Sequence, residues 1–169
     1  EHQSSKSLRE HVARNSLEQS WTDDERELFA MDRAEAHRTH AGAIGWRLEN
    51  MWPLAWALGF DEEPRIDSGM IQEPTIRALQ REFLPPFAPD GTVEQLLGHC
   101  TPRSAREVDA LEDLYYCGHN AVRSAQLGED TVPDGFDPMA HGGVVHERRH
   151  ALTWMLSPGV SWDETDLST

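Results

Sequence analysis

Lysine is almost absent from this chain. Lys6 is the single lysine among 15 basic residues, and 30 acidic residues give a formal net charge of -15. Such a surface repels phosphate backbones and anionic lipid headgroups, because binding to either depends on Lys and Arg displacing counterions. We therefore expect neither nucleic-acid binding nor membrane-surface binding. A basic protein partner is compatible with this charge, since an acidic surface speeds the encounter with one.

Long apolar runs and cysteines are also scarce. The longest apolar stretch, residues 51–60, contains Pro53 and Gly59 and is shorter than the ~18 residues that a membrane span needs. Residues 1–14 lack the apolar centre of a secretion signal,. Cys100 and Cys117 form no disulfide framework, and two reduced thiols are favoured over a single bridge between them,. We expect a soluble, cytoplasmic protein.

Sustained alternation of apolar and polar residues is missing as well, which argues against a sheet. Start and stop signals predict about six helical stretches near residues 7–17, 22–31, 33–58, 74–84, 104–128 and 143–156, with a short helix at 92–97,. Capping boxes at Thr22–Glu25 and Ser104–Glu107 mark two of the starts,. The prediction is an all-α, single-domain orthogonal helical bundle. It has a weakly patterned N-terminal segment (1–20), a helical core domain (21–157) and an acidic C-terminal tail packed on or beside the core (158–169).

Three phrases in the predicted helices carry a family resemblance. The first is WRLE at 46–49 followed by WPLAWALG at 52–59; the second is LYY at 114–116 with His119, Ala121, Val122 and Arg123; the third is VVHERRHALTW at 144–154 followed by Trp162 and Asp163. In this order and at these separations, the chain resembles the bacterial domain of unknown function 4272 family from roughly residue 21 to the C-terminus. The resemblance implies a shared fold and brings no activity, substrate or cofactor.

The segment from His146 to His150 fits the pattern H-E-x-x-H. On a helix this spacing places two imidazoles one turn apart, where they can bind zinc, with Glu147 as the base for a bound water. The two intervening residues are arginines, which would lie beside the metal cation. A third ligand could come only from the tail, and members of the family that the chain resembles often carry tyrosine in place of His146. We therefore favour no metal and no other cofactor, with zinc as the less favoured alternative.

The charged residues from Glu147 to His150 lie on a helix that is otherwise apolar, so some of them must be partly buried. A buried charge is costly unless it is paired. The other two phrases supply candidate partners, and the predicted polar cluster consists of Arg47, Glu49, Tyr116, His119, Arg123, Arg148 and Arg149. Within it, Glu49 is expected to pair with Arg148 or Arg149, supported by Tyr116 or His119.

The predicted cluster has two possible roles. A sealed cluster would fix the register of the helices. A cluster open to solvent would be an active or ligand-binding site, with Glu49, His119 and Glu147 as candidate catalytic residues.

The interpretation favoured by the sequence is a non-catalytic, acidic helical domain that binds another protein, as the small acidic immunity and antitoxin proteins of bacteria do. Two enzyme alternatives remain open. One is a metal-dependent hydrolase using His146, Glu147 and His150, and the other is a cleft enzyme built on Glu49 and the arginines. The partner, the substrate of any enzyme and the oligomeric state are not indicated.

Overall fold

The computed structural model describes residues 5–84 and 91–168, apart from the side chain of Ile44. Seven α-helices lie in these ranges: α1 (Ser5–Arg14), α2 (Asp23–Ala30), α3 (Arg33–Ala57), α4 (Glu73–Ala78), α5 (Val93–His99), α6 (Ala105–Gln126) and α7 (Pro138–Met155). A π-helical turn follows α4 at Leu79–Phe83, and short 3-10 helices occur at Leu17–Ser20 and Trp162–Glu164. The described ranges contain no strand. The predicted all-α helical bundle is confirmed, with seven helices in place of about six.

Capping boxes begin three of the helices. The Thr22 and Ser104 hydroxyls accept from the backbone amides of Glu25 and Glu107, and both glutamates bond back to the cap. These two boxes were predicted. A third, formed by Thr92 and Gln95, begins α5. Each box satisfies amides that the first helical turn leaves without intrahelical partners.

Helix α7 begins at Pro138, so the predicted start near residue 143 was wrong. The Asp137 carboxylate caps the helix by accepting from the amides of Met139 and Ala140. Gly142 lies inside the helix because of a close approach to α6. A Cβ at this position would lie 2.7 Å from Cγ1 of Val122. The glycine therefore serves packing and does not break the helix.

The core is built around α7, which packs against both α3 and α6. One apolar cluster joins these helices and contains Trp56, Ala57, Val108, Leu111, Tyr115, Val122, Val145 and Leu152. A second lies between α3 and the α4 region and contains Trp52, Ala55, Ile71, Leu79 and Phe83. Both use the C-terminal part of α3, whereas most side chains from 33 to 43 are exposed. The buried polar residues of the three family phrases, Glu49, His119, Arg148 and Arg149, therefore lie on the three helices that share this core.

Two segments without long helices pack against α7. The connection at 61–72 bonds to Arg148, and the tail bonds to Arg149 and His150 through the carbonyls of Leu167, Ser168 and Trp162.

The division into segments 1–20, 21–157 and 158–169 stays a prediction. Within the described ranges, no helix has the length and apolar character that would let it cross a membrane.

Candidate functional site

Two adjacent arginines on α7 are buried on different sides of the helix. Arg148 is 0% exposed and Arg149 is 2% exposed. Successive residues of an α-helix point about 100° apart, so neighbouring side chains enter different surroundings. The single cluster predicted from the sequence is therefore divided into two, named here the Arg148 cluster and the Arg149 cluster.

The Arg148 cluster joins α3, α7 and the connection at 61–72. Arg148 Nε donates to Glu49 Oε2 at 2.8 Å, and its Nη2 lies 2.7 Å from the same oxygen. The other carboxylate oxygen, Glu49 Oε1, accepts from the backbone amide of Ile71 at 2.8 Å. Both side chains of the ion pair are 0% exposed. Of the two arginines that the sequence offered to Glu49, Arg148 is the one that pairs with it.

The remaining guanidinium hydrogens of Arg148 bond to the connection between α3 and α4. Nη1 donates to the Arg65 carbonyl at 2.7 Å and to Ser68 Oγ at 3.1 Å, and Nη2 donates to the Gly69 carbonyl at 2.6 Å. The Trp52 ring covers the guanidinium, with 4.7 Å from Cζ to the ring centroid. Each guanidinium nitrogen of Arg148 therefore donates to an oxygen, and the group is buried. This arrangement fixes the 61–72 connection and leaves no free donor for a ligand.

The Arg149 cluster joins α6, α7 and the tail. Nε donates to Glu112 Oε1 at 3.4 Å, a long contact, and the same oxygen accepts from Thr153 Oγ1 at 2.8 Å. The Tyr116 ring lies against the guanidinium at 4.6 Å from Cζ. Tyr116 and His119, which were expected to support Glu49, contact Arg149 instead. They lie on the face of α6 that meets this second arginine.

His119 is buried beside Arg149 and accepts a hydrogen bond from it. The distance from Arg149 Nη1 to His119 Nδ1 is 2.7 Å, and because a guanidinium can only donate, the imidazole is neutral with its proton on Nε2. Burial lowers the pKa of His119 to about 4, aided by the positive charges of Arg149, His146 and Arg123,. The ring is therefore a hydrogen-bond acceptor at neutral pH and not a proton carrier.

The H-E-x-x-H residues point to different neighbours. Glu147 Oε2 accepts from Asn50 Nδ2 at 2.9 Å, and Glu147 Oε1 lies 3.5 Å from His146 Nδ1. Burial raises the pKa of Glu147, but the hydrogen bonds from His146 and Asn50 outweigh it and lower the pKa below its ordinary value. His150 Nε2 lies 2.9 Å from the Trp162 carbonyl, and the two rings stack at 4.2 Å. In the part of the chain that the structure describes, no group of three or more His, Cys, Asp or Glu could bind a metal ion.

Two residues of the predicted cluster lie outside both observed clusters. Arg47 is exposed on α3, because a residue two positions before Glu49 points to nearly the opposite side of the helix,. Arg123 is also exposed and donates to Gln126 Oε1 at 2.7 Å on its own helix. Their inclusion in one buried cluster was wrong.

Sequence reasoning missed several groups that complete the clusters. Glu112 could have been found, because it shares a helical face with Tyr116 and His119 at spacings of four and seven residues,. Asn50 lies next to Glu49 and carried no separate signal. The backbone carbonyls of the connection and the tail have no sequence signature, because every residue has one.

The fold and its two arginine clusters define a helical bundle that is stabilised by buried polar contacts between α3, α6 and α7. The family model described as Domain of unknown function (DUF4272) matches residues 1–165, and the chain belongs to this family. The match begins ahead of residue 21, where the three phrases placed it, and so includes α1. Neither the curated proteins nor the solved structures contain a match to the chain.

Proposed function

We propose that this chain is a non-catalytic helical domain that binds a basic protein partner at the loop end of the α6–α7 hairpin. The observation that carries the proposal is a pair of large apolar residues left in solvent there. Leu127 is 82% exposed and Met139 is 77% exposed. Four acidic residues lie between them in the sequence: Glu129, Asp130, Asp134 and Asp137. We name residues 127–139 the hairpin-end surface.

The charge and chemistry of the hairpin-end surface favour a basic partner. From Arg123 to Arg148 the sequence contains no intervening Lys or Arg, so no nearby cation in the loop neutralises its carboxylates. Lysine and arginine combine an apolar stem with a charged head. Such a side chain can cover Leu127 or Met139 while its head meets a carboxylate. The chain's net charge of -15 would also attract a basic protein over a distance and raise its association rate,.

Several contacts join the hairpin-end surface to the rest of the molecule. Val132 and Phe136 pack against the core cluster, and Thr131 Oγ1 donates to the Ala121 carbonyl at 2.6 Å. Asp137 is fixed as the cap of α7. A surface that is ordered before binding loses little conformational entropy on association. This supports a docking role over that of a flexible linker.

The enzyme alternatives receive less support from the two clusters. A cleft enzyme built on Glu49 would need solvent access to a carboxylate that is 0% exposed and bonded through both of its oxygens. A hydrolase built on His146 and His150 would need a third metal ligand, and among the described residues no group of three or more His, Cys, Asp or Glu could bind a metal ion. Its base would be Glu147, whose lowered pKa makes it a weaker proton acceptor,.

The test is quantitative affinity capture with the whole chain immobilised and extracts of the cells that naturally make it. One variant combines Leu127→Ser with Met139→Ser, and a second combines Glu129→Gln, Asp130→Asn and Asp134→Asn. We expect both to lose the same basic protein, with binding of the purified partner weakened about tenfold or more.

A matched control neutralises three exposed carboxylates elsewhere, through Glu27→Gln, Glu82→Gln and Asp113→Asn. These residues are exposed on α2, on the π-helical turn and on the middle of α6, and the control changes the net charge by the same amount as the second variant. We expect it to retain the partner. The proposal fails if the control weakens binding as much as the hairpin-end variants, or if the protein lost by those variants is not basic.

A further inference from the structure

Arg149 is a buried cation whose ion pair, among the described residues, is longer than that of its neighbour Arg148. Its neighbour Arg148 pairs with a carboxylate at 2.7 Å, whereas Arg149 meets Glu112 at 3.4 Å. Among the described residues, Glu112 is the one carboxylate within ion-pair distance of Arg149, and it also accepts from Thr153. Since a buried charge is costly without close compensation, Arg149 retains the capacity to bind a further anion.

Most groups that contact Arg149 are neutral. His119 is neutral, and Arg123 and His146 lie close enough to it to act on its titration. Tyr116 offers the face of its ring and no formal charge. Among the described residues, the Arg149 guanidinium therefore bonds to one carboxylate, that of Glu112, and to three neutral acceptors.

The end of the tail lies across the Arg149 guanidinium. Leu167 and Ser168 direct their carbonyl oxygens at the two terminal nitrogens of Arg149, with 3.0 Å to Nη1 and 3.5 Å to Nη2. A carboxylate binds the same edge of a guanidinium with two oxygens on two nitrogens, and its bonds are stronger because the acceptor is charged. The two carbonyls thus occupy the positions of a carboxylate without supplying its charge.

Few contacts hold the tail in place. The Trp162 ring packs on His150 at 4.2 Å and on Trp154 at 5.5 Å, and the Trp162 carbonyl meets His150. Asp166 lies close enough to Arg149 for its pKa to be affected, but its Oδ1 accepts from the Ser168 amide at 2.9 Å. The acidic side chain of the tail that acts on Arg149 is thus engaged with the tail's own backbone.

We propose that residues 162–168 form a displaceable strap over a carboxylate-binding site centred on the Arg149 guanidinium. A ligand carboxylate takes the place of the Leu167 and Ser168 carbonyls, with the Tyr116 ring beside it, and the strap is released. This site is separate from the hairpin-end surface and does not depend on the proposed protein partner. Strap and ligand compete, so any change that weakens the strap strengthens binding of the carboxylate.

The test uses the full chain with sodium acetate as the probe, followed through the backbone amide NMR signals of Leu167 and Ser168. Sodium chloride and sodium phosphate at the same ionic strength are run in parallel. We expect a saturable response to acetate alone. Trp162→Ala removes the ring that anchors the strap, so acetate should bind about fivefold more tightly or better, because more molecules have the site open.

Matched variants separate charge from packing. Asp166→Asn keeps an acceptor for the Ser168 amide but removes an attractive charge from the strap, so acetate binding should tighten. Glu27→Gln changes an exposed carboxylate of α2, outside the strap, and Trp21→Ala removes a tryptophan that packs on Phe29; both should leave the affinity unchanged. Arg149→Lys keeps the charge but loses the planar fork, and it should abolish the response.

The proposal is overturned if acetate binds Trp162→Ala no more tightly than the unmodified chain. It is also overturned if chloride or phosphate reproduces the acetate response. If Arg149→Lys fails to fold, the Trp162 and Asp166 variants still decide the outcome, because neither changes the guanidinium.

Discussion

Arg148 and Arg149 show how two equally buried residues of one type can have different surroundings. The positive charge of Arg148 is neutralised by Glu49 at hydrogen-bonding distance, and backbone oxygens take its other donors. Arg149 relies on a longer contact with Glu112, a neutral imidazole and two carbonyls of the tail. The contacts of the first arginine are those expected of a structural ion pair, and the second is the arginine of the proposed carboxylate-binding site.

The Glu49–Arg148 pair should dominate the stability of the α3–α7 contact. Glu49→Gln keeps the size of the side chain but leaves the Arg148 charge buried without its partner. We expect a loss of about 3–5 kcal/mol in the free energy of unfolding, measured by urea denaturation. As a control, Glu27→Gln changes an exposed residue of α2 and should shift stability by less than about 0.5 kcal/mol,. A loss from Glu49→Gln as small as that of the control would contradict the role of a strut.

His119 should make the fold sensitive to acid. The ring takes up a proton near pH 6.5 in the unfolded chain but only at about pH 4 in the folded protein. Between these values the unfolded state binds more protons, so stability falls as the pH is lowered and is restored as the pH is raised through 6.5. This effect amounts to about 3 kcal/mol at most.

His119→Gln retains an acceptor for Arg149 without a titrating ring. The difference in unfolding free energy between the two proteins, measured from pH 7.5 to pH 4, isolates the contribution of His119 from that of the carboxylates. Parallel curves for the two proteins would show that the ring does not remain neutral in the fold.

Helix α7 depends on small residues where it crosses α6. Gly142→Ala improves helix propensity by about 1 kcal/mol, but the added methyl group would lie 2.7 Å from Cγ1 of the buried, β-branched Val122. We expect the steric clash to outweigh the gain in helix propensity. The free energy of unfolding should fall by about 1–3 kcal/mol, measured by thermal or urea denaturation.

Gly45→Ala in α3 is the matched control, because a Cβ there meets nothing within 4 Å. It should stabilise the protein by about 0.5–1 kcal/mol. If Gly142→Ala is equally stabilising, α6 and α7 do not approach as closely as described.

Most helix starts could be predicted because their signals are local. Thr22 with Glu25 and Ser104 with Glu107 form caps within four consecutive residues, so the sequence determines them wherever the helix later packs,. The start of α7 was predicted five residues too late, at Gly143, although Gly142 and Gly143 both lie inside the helix. Their role depends on neighbours in α6 and α3 that are distant in the sequence.

At the scale of the whole molecule, the acidic surface opposes the compact fold. A formal net charge of -15 produces repulsion between surface carboxylates, which dissolved salt screens over a distance of about 10 Å at 0.1 M,. We expect the melting temperature to rise when NaCl is increased from 10 to 300 mM at constant pH, measured by circular dichroism. The buried Glu49–Arg148 pair should respond little to the same change, since screening is weak away from water. A melting temperature that falls with salt would show that attractive surface pairs outweigh the repulsion.

The sequence by itself determined the helical class, the excess of acid and the requirement that charges on α7 be paired inside. These follow from local capping signals, from composition and from the cost of burying an unpaired charge. Only the tertiary structure decided that Arg148 pairs with Glu49 and that Arg149 bonds to Glu112, His119 and the tail. The physical reason is that both arginines can bond to any oxygen that the chain brings near. The oxygens that reach them come from Arg65, Gly69, Leu167 and Ser168, in segments whose sequence carries no sign of that contact.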